Sequence, residues 1–189
     1  MSAMSLPSAA RRTAGLARQH KVITGSVVVF IVALIVVSLA TSKTQDPPPS
    51  YPAAAGFTLP ALGQSGKQVS LSQYQGKPVI INFWASWCPP CQQETPLLAS
   101  WYKQQHGHVV LLGLDENDTT ADALKFARAK SVTYPIGFDP KVNVALAYNV
   151  EELPQTFFLN AQHRIVDHVF GAVTKAELAK GVRLMNSAS

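Results

Sequence analysis

Residues 78–91 read Pro78-Val79-Ile80-Ile81-Asn82-Phe83-Trp84-Ala85-Ser86-Trp87-Cys88-Pro89-Pro90-Cys91. The run Pro78–Phe83 has strand length and is nearly continuous in apolar residues, as expected of a strand buried on both faces. From Gln92 to Tyr102 the apolar residues fall at helical spacing. Between strand and helix lie the only two cysteines of the chain, two residues apart. A strand that delivers a Cys-x-x-Cys to the start of a helix is a redox geometry. The first sulfur then sits at the positive end of the helix dipole, among N–H groups without intrahelical partners, where a thiolate is favoured. The motif predicts thiol–disulfide exchange. Cys88 is the expected attacking thiol and Cys91, one helical turn on, the resolving thiol. The same spacing also suits two ligands of a metal. Residue 92 is Gln rather than His, so a c-type haem attachment site is excluded.

Pro89 and Pro90 lack N–H groups, a loss tolerated at the first helical positions. They leave fewer donors for the Cys88 sulfur, with the Cys91 N–H foremost, which argues against a very strong oxidant. The other reading is that they only stiffen the turn. Pro96, inside the helix, removes a backbone bond and is expected to kink it. Glu94 follows Cys91 by three and admits two readings. It faces the cysteines as a proton acceptor, or it is an exposed acid of the kind favoured near a helix N-terminus. Asn82 is either a satisfied core amide or a group aimed at the site. Of Trp84 and Trp87, at least one is expected beside the disulfide, with Trp87 the candidate for substrate contact.

Upstream, Val22–Ala40 is 19 residues without a charge, about 28 Å as a helix at about 1.5 Å per residue and close to a bilayer core. Arg11, Arg12, Arg18 and Lys21 precede it, and only Lys43 follows closely. The positive-inside rule then places residues 1–21 in the cytoplasm and the rest outside it. The apolar core exceeds the usual length of a cleaved signal, although Ser38-Leu39-Ala40 has the form of a cleavage site. Arg11-Arg12 reads as the cytoplasmic flank, since no apolar run follows it directly. Residues 41–55 hold Asp46-Pro47-Pro48-Pro49-Ser50-Tyr51-Pro52 and read as an extended spacer. The net charge of +5 resides wholly in the first 43 residues, since the remainder balances 11 basic against 11 acidic residues. No nucleic-acid-binding face is implied.

Residues 56–189 read as one α/β domain. Phe57–Leu62 and Gln68–Leu71 form a hairpin, and Ser72–Lys77 a short helical turn. Val109–Leu114 is a second buried strand, and Thr119/Thr120 cap a helix to Lys130. Pro135–Phe138 is a short extended piece, and Pro140–Tyr148 a helix with Pro140 in its first turn. Gln155–Asn160 and Arg164–Phe170 are two strands about a turn, and Thr174 caps a last helix. The order predicts a mixed central sheet with helices on both faces. The five histidines show no ligand spacing, and neither a metal nor a cofactor beyond the Cys88–Cys91 disulfide is expected. Leu153-Pro154-Gln155-Thr156 precedes a strand. Pro154 is either a turn breaker or, with a cis bond, a backbone element that meets an extended substrate.

From about Gly56 onward the chain resembles the membrane-anchored thioredoxin-like oxidoreductases of the TlpA/ResA/CcmG group. The likeness rests on Asn82–Cys91, Glu94, Pro96, Tyr134-Pro135, Tyr148-Asn149-Val150 and Leu153–Phe157. It implies a thioredoxin-like fold with an added front hairpin and a helical insertion. It further implies that Pro154 is a cis-proline facing the cysteines and that Glu94 is the family's active-site acid. Thioredoxin itself carries a buried Asp where this chain has Asn82. The implied activity is reduction of protein disulfides, such as that of apocytochrome c, with electrons from a membrane thiol donor. A disulfide-donating oxidase and a non-catalytic module binding apocytochrome, haem or copper are the alternatives. One departure is Glu152, where the group often has glycine; with Glu151 it forms an acidic rim beside Leu153 and Pro154.

Overall fold

The computed structural model describes Ile31, residues 50–105 and residues 107–188. The expected tail and anchor (apart from Ile31) and most of the spacer lie outside the described residues. Among the described residues no helix is long and apolar enough to cross a membrane.

The fold is built around β3 (Val79–Trp84), in which all six side chains are buried. It is the middle strand of five, in the order β5-β4-β3-β6-β7. On one side it runs parallel to β4 (Val110–Glu116), which in turn runs parallel to β5 (Ile136–Asp139). On the other it pairs antiparallel with β6 (Gln155–Leu159), which pairs antiparallel with β7 (Ile165–Phe170). Side chains alternate across the pleat. Ile80 and Trp84 of β3 and Leu111 of β4 meet Leu98 and Ala99 of α1 (Pro89–Gln104), Phe126 of α2 (Thr120–Ala129), and Leu178 and Met185 of α4 (Lys175–Ser187). Val79, Ile81 and Phe83 face the opposite way, toward Val144 and Ala145 of α3 (Asn143–Ala147) and Leu59 and Val69 of a front hairpin. That hairpin joins β1 (Thr58–Pro60) and β2 (Gln68–Ser70) and leads into a single 3-10 turn, Leu71–Tyr74. Each fully buried Val, Ile or Phe contributes about 1.5–3 kcal/mol, so β3 adds substantially to cohesion as well as carrying the site.

The mixed sheet with helices on both faces is as expected, and two details differ. The piece at 135–138 is a true strand, because Gly113–Glu116 continue β4 far enough to pair with Ile136–Asp139. The third helix begins at Asn143 rather than at Pro140. Buried Asp139 sets its start by accepting the N–H groups of Asn143 (3.0 Å), Val144 (2.8 Å) and Ala145 (3.2 Å). Pro140 lies in the preceding turn, and Val142 takes a left-handed conformation (φ 53°) to enter the helix.

The hairpin meets β5 at an Ala61–Gly137 bridge, and Ala53 bridges to Arg164 beside β7. Ile165 donates its N–H to the Pro52 carbonyl, and Ala54 donates to that of His163. Tyr51–Ala55, read from the sequence as spacer, thus lie against the domain.

Candidate active site

Cys88 is the N-cap of α1 and Pro89 and Pro90 fill the first two helical positions, where a missing N–H costs nothing. Cys88 and Cys91 form a disulfide with an S–S distance of 2.09 Å. The Cys91 N–H donates to Cys88 Sγ at 3.2 Å, the one donor that the two prolines leave in this turn. Cys91 is fully enclosed, whereas Cys88 retains 3% exposure. An incoming sulfur therefore meets Cys88 first. Pro96 lies within α1, and Thr95 Oγ1 donates to the Cys91 carbonyl.

Glu94 is buried and points inward. Its Oε1 accepts from Asn82 Nδ2 at 2.8 Å and its Oε2 accepts from the Val173 N–H at 2.6 Å. Burial raises its pKa to about 7, against the lowering pull of the Val173 and Asn82 hydrogen bonds. Desolvation wins because two neutral donors do not replace the hydration of a carboxylate. Glu94 thus exchanges a proton near neutrality, one helical turn from Cys91 and on the same side of α1. Asn82 also donates to Thr156 Oγ1 at 3.0 Å and is oriented by both contacts. Tyr134 is buried nearby, and burial together with the Glu94 charge pushes its hydroxyl pKa up.

The Leu153–Pro154 peptide bond is cis. Hydrogen bonds tie this segment to the acid. Pro154 O accepts from the Gly171 N–H at 2.9 Å, Val173 two residues later holds Glu94, and Thr156 holds Asn82. Leu153 is half-buried, and among the described residues nothing pairs with its backbone N–H or C=O. Glu151 and Glu152 are both exposed beside it. Trp84 is buried and stacks on Phe126, with ring centroids 4.8 Å apart, whereas Trp87 is 55% exposed next to Cys88.

Several participants have no signal in the sequence. Val173 acts through its backbone. Asp118 Oδ2 accepts the Ser86 N–H at 2.7 Å, the Asn117 carbonyl accepts the Trp87 indole N–H at 2.9 Å, and Gln92 Nε2 donates to the Ser86 carbonyl at 2.9 Å. Asp115, opposite Trp84 in the β3–β4 register, is buried with neither carboxyl oxygen hydrogen-bonded. Burial first, then the adjacent Asp118 carboxylate and after it that of Glu116, raise its pKa to about 9.

With this geometry in view, comparison with known proteins is specific. The AhpC/TSA family profile matches residues 52–168. The chain belongs to that family. It is similar to the thiol–disulfide oxidoreductase ResA of Geobacillus thermodenitrificans, 33% identical over 130 residues that cover 66% of this chain and 74% of that protein. It is also 33% identical over 113 residues to the ResA of Bacillus subtilis, covering 59% of this chain but only 63% of that relative's length. Among solved structures, a secreted Mycobacterium tuberculosis disulfide oxidoreductase homologous to E. coli DsbE superposes with a TM-score of 0.61 at 25% identity, covering 67% of this chain and 94% of that one. The thioredoxin-like fold and the kinship to thiol–disulfide oxidoreductases thus accompany the Cys88–Cys91 pair of this chain.

Proposed function

We propose that the protein is a thiol–disulfide oxidoreductase that reduces protein disulfides outside the cytoplasmic membrane. The observation that carries the reading is the pairing of a barely exposed Cys88 with an enclosed Cys91 and a buried acid that titrates near neutrality. In the reduced protein the Cys88 thiolate attacks one sulfur of a substrate disulfide. A mixed disulfide forms and one substrate thiolate leaves. Cys91 then gives its proton to the Glu94 carboxylate and attacks Cys88 Sγ, and the second substrate sulfur departs and takes that proton back from Glu94. The substrate gains two electrons and one proton from the protein, its first thiolate takes a second proton from solvent, and the protein is left with the Cys88–Cys91 disulfide. Leu153, whose backbone groups have no partner among the described residues, lies beside cis-Pro154 and is suited to pair with the extended chain that flanks the substrate cysteine, and exposed Trp87 offers that chain an apolar contact.

The reductase direction is supported by the sparse donation to Cys88 Sγ, which receives the Cys91 N–H across a Pro-Pro turn. A strong oxidant needs a heavily stabilised thiolate. The kinship to ResA and the DsbE homologue supports disulfide exchange, and the sequence resemblance favours apocytochrome c as substrate and a membrane thiol protein as electron donor. Val22–Ala40 serves in this reading as a retained anchor that keeps the domain at the membrane surface. Extraction of the full chain from membranes by alkali would remove that part of it.

The deciding measurement is the reduction potential of the Cys88–Cys91 pair against glutathione. A value near about −270 mV or lower is expected of a reductase, and one near about −120 mV would instead identify an oxidase. Cys88→Ser is expected to abolish exchange with a model disulfide substrate, and retained turnover would defeat the enzymatic reading.

A further inference from the structure

The loop that presents Cys88 is held from outside. Ser86 is two residues before the nucleophile, and its peptide groups are gripped on both sides by side chains from different elements. Its N–H donates to Asp118 Oδ2, on the loop after β4, at 2.7 Å. Its C=O accepts from Gln92 Nε2, in the first turn of α1, at 2.9 Å. The same β4–α2 loop takes the indole N–H of Trp87 on the Asn117 carbonyl, and Asn117 adopts a left-handed conformation (φ 50°) to offer it. The second oxygen of Asp118 accepts the Thr119 N–H at 2.8 Å, so the clamp is braced against the start of α2.

We infer that Asp118 and Gln92 are positioning residues that fix the Ser86 peptide and thereby set Cys88 Sγ against the Cys91 N–H at the start of α1. The inference rests on Cys88 being the attacking thiol. A charge-assisted hydrogen bond to a backbone N–H is among the stronger ones available, and the turn it restrains contains only Trp87 before the reactive sulfur. Among the described residues, the Cys91 N–H at 3.2 Å is the one donor to that sulfur. Freedom in the preceding peptide lengthens it first. The reduced form then loses thiolate stabilisation, and the pair becomes less oxidising. The charge of Asp118 acts in the opposite sense, because a nearby anion disfavours a thiolate.

The test separates the two effects in the full-length protein. Asp118→Asn keeps an acceptor for Ser86 and loses the charge, whereas Asp118→Ala loses both. Each is compared for its glutathione equilibrium and for the pH profile of alkylation, with the alkylated cysteine identified by mass spectrometry. Relative to Asp118→Asn, Asp118→Ala is expected to lower the equilibrium constant for oxidising glutathione about fivefold, about 20 mV in potential, and to move the alkylation midpoint to higher pH. Gln92→Ala, at an exposed position, is expected to shift both in the same direction by less. Thr119→Ala removes the neighbouring helix cap, at which Thr119 Oγ1 accepts the Asp122 N–H, without touching Ser86, and is expected to move neither. Equal values for the Asp118 variants, or an equal shift in Thr119→Ala, would overturn the inference. Should Asp118→Ala fail to fold, an unchanged Gln92→Ala would overturn it alone. Alkylation at Cys91 rather than Cys88 in the parent would instead mark failure of the underlying assignment.

Discussion

Replacing Glu94 by Gln tests the central acid through stability rather than turnover. The folded-state pKa is raised from 4.5 to about 7. Between those values the folded protein binds the proton and the unfolded chain does not, so stability falls as pH rises through this window. With 1.36 kcal/mol per pKa unit, the full effect is about 3.4 kcal/mol, of which about 2.5 kcal/mol falls between pH 5 and pH 8. Gln has no proton to lose. It keeps an acceptor for the Val173 N–H and presents an amide to Asn82, whose unpartnered Oδ1 receives it if the Asn82 amide turns over. Any cost of that rearrangement is the same at every pH. Urea unfolding of the oxidised parent and of Glu94→Gln at several pH values is therefore expected to show Gln gaining on the parent by about 2.5 kcal/mol across this range. The acid pairs Asp115 and Glu116 cancel in the comparison. Curves that stay parallel to within about 0.5 kcal/mol, the size of an ordinary surface effect, would refute the reasoning and make Glu94 an ionised structural residue.

Two further substitutions probe the frame that holds the site. Gly181→Ala in α4 gains up to about 1 kcal/mol of helix propensity, but its Cβ would overlap the Phe158 ring in the core. Overpacking costs about 1–3 kcal/mol, so thermal unfolding is expected at a lower temperature than in the parent. Asp139→Ala strips the acceptor from three N–H groups at the start of α3 and is expected to cost about 3 kcal/mol or more, measured by chemical denaturation, with exchange activity kept below the new midpoint.

Much of the site was legible because its residues lie close together in the chain. Cys88, Cys91 and Glu94 sit on one stretch of helix, and the all-apolar Val79–Phe83 run announces the strand beneath them. Asn82 was not legible alone. Its partners Glu94 and Thr156 are 12 and 74 residues away, and an amide looks the same whether it fills the core or orients an acid. Trp84 and Trp87 differ in exposure because the strand ends between them, a boundary that spacing locates only to within a residue or two. β5 was hard to read because four residues give little periodicity, and its strand character comes from pairing with β4. Asp115 and Asp118 follow the apolar run Val109–Leu114 without any spacing that marks them, and their place behind the Cys88 loop comes from the fold alone. Val173 donates through a backbone that any residue would supply, so composition carries no trace of it.

The bridges at Ala61–Gly137 and Ala53–Arg164 have a consequence for the partners such a protein keeps. A protein that handles disulfides in incompletely folded chains meets extended segments with unpaired backbone groups, for which a bare outer strand is a template. Here the front hairpin lies along β5, and the chain entering the domain lies against the start of β7. The β7 side chains beyond it include Asp167, paired with Lys180 at 3.0 Å, and charge at an outer strand discourages addition. The sheet's outer strands are thus covered in part, β5 by the hairpin and the start of β7 by the entering chain.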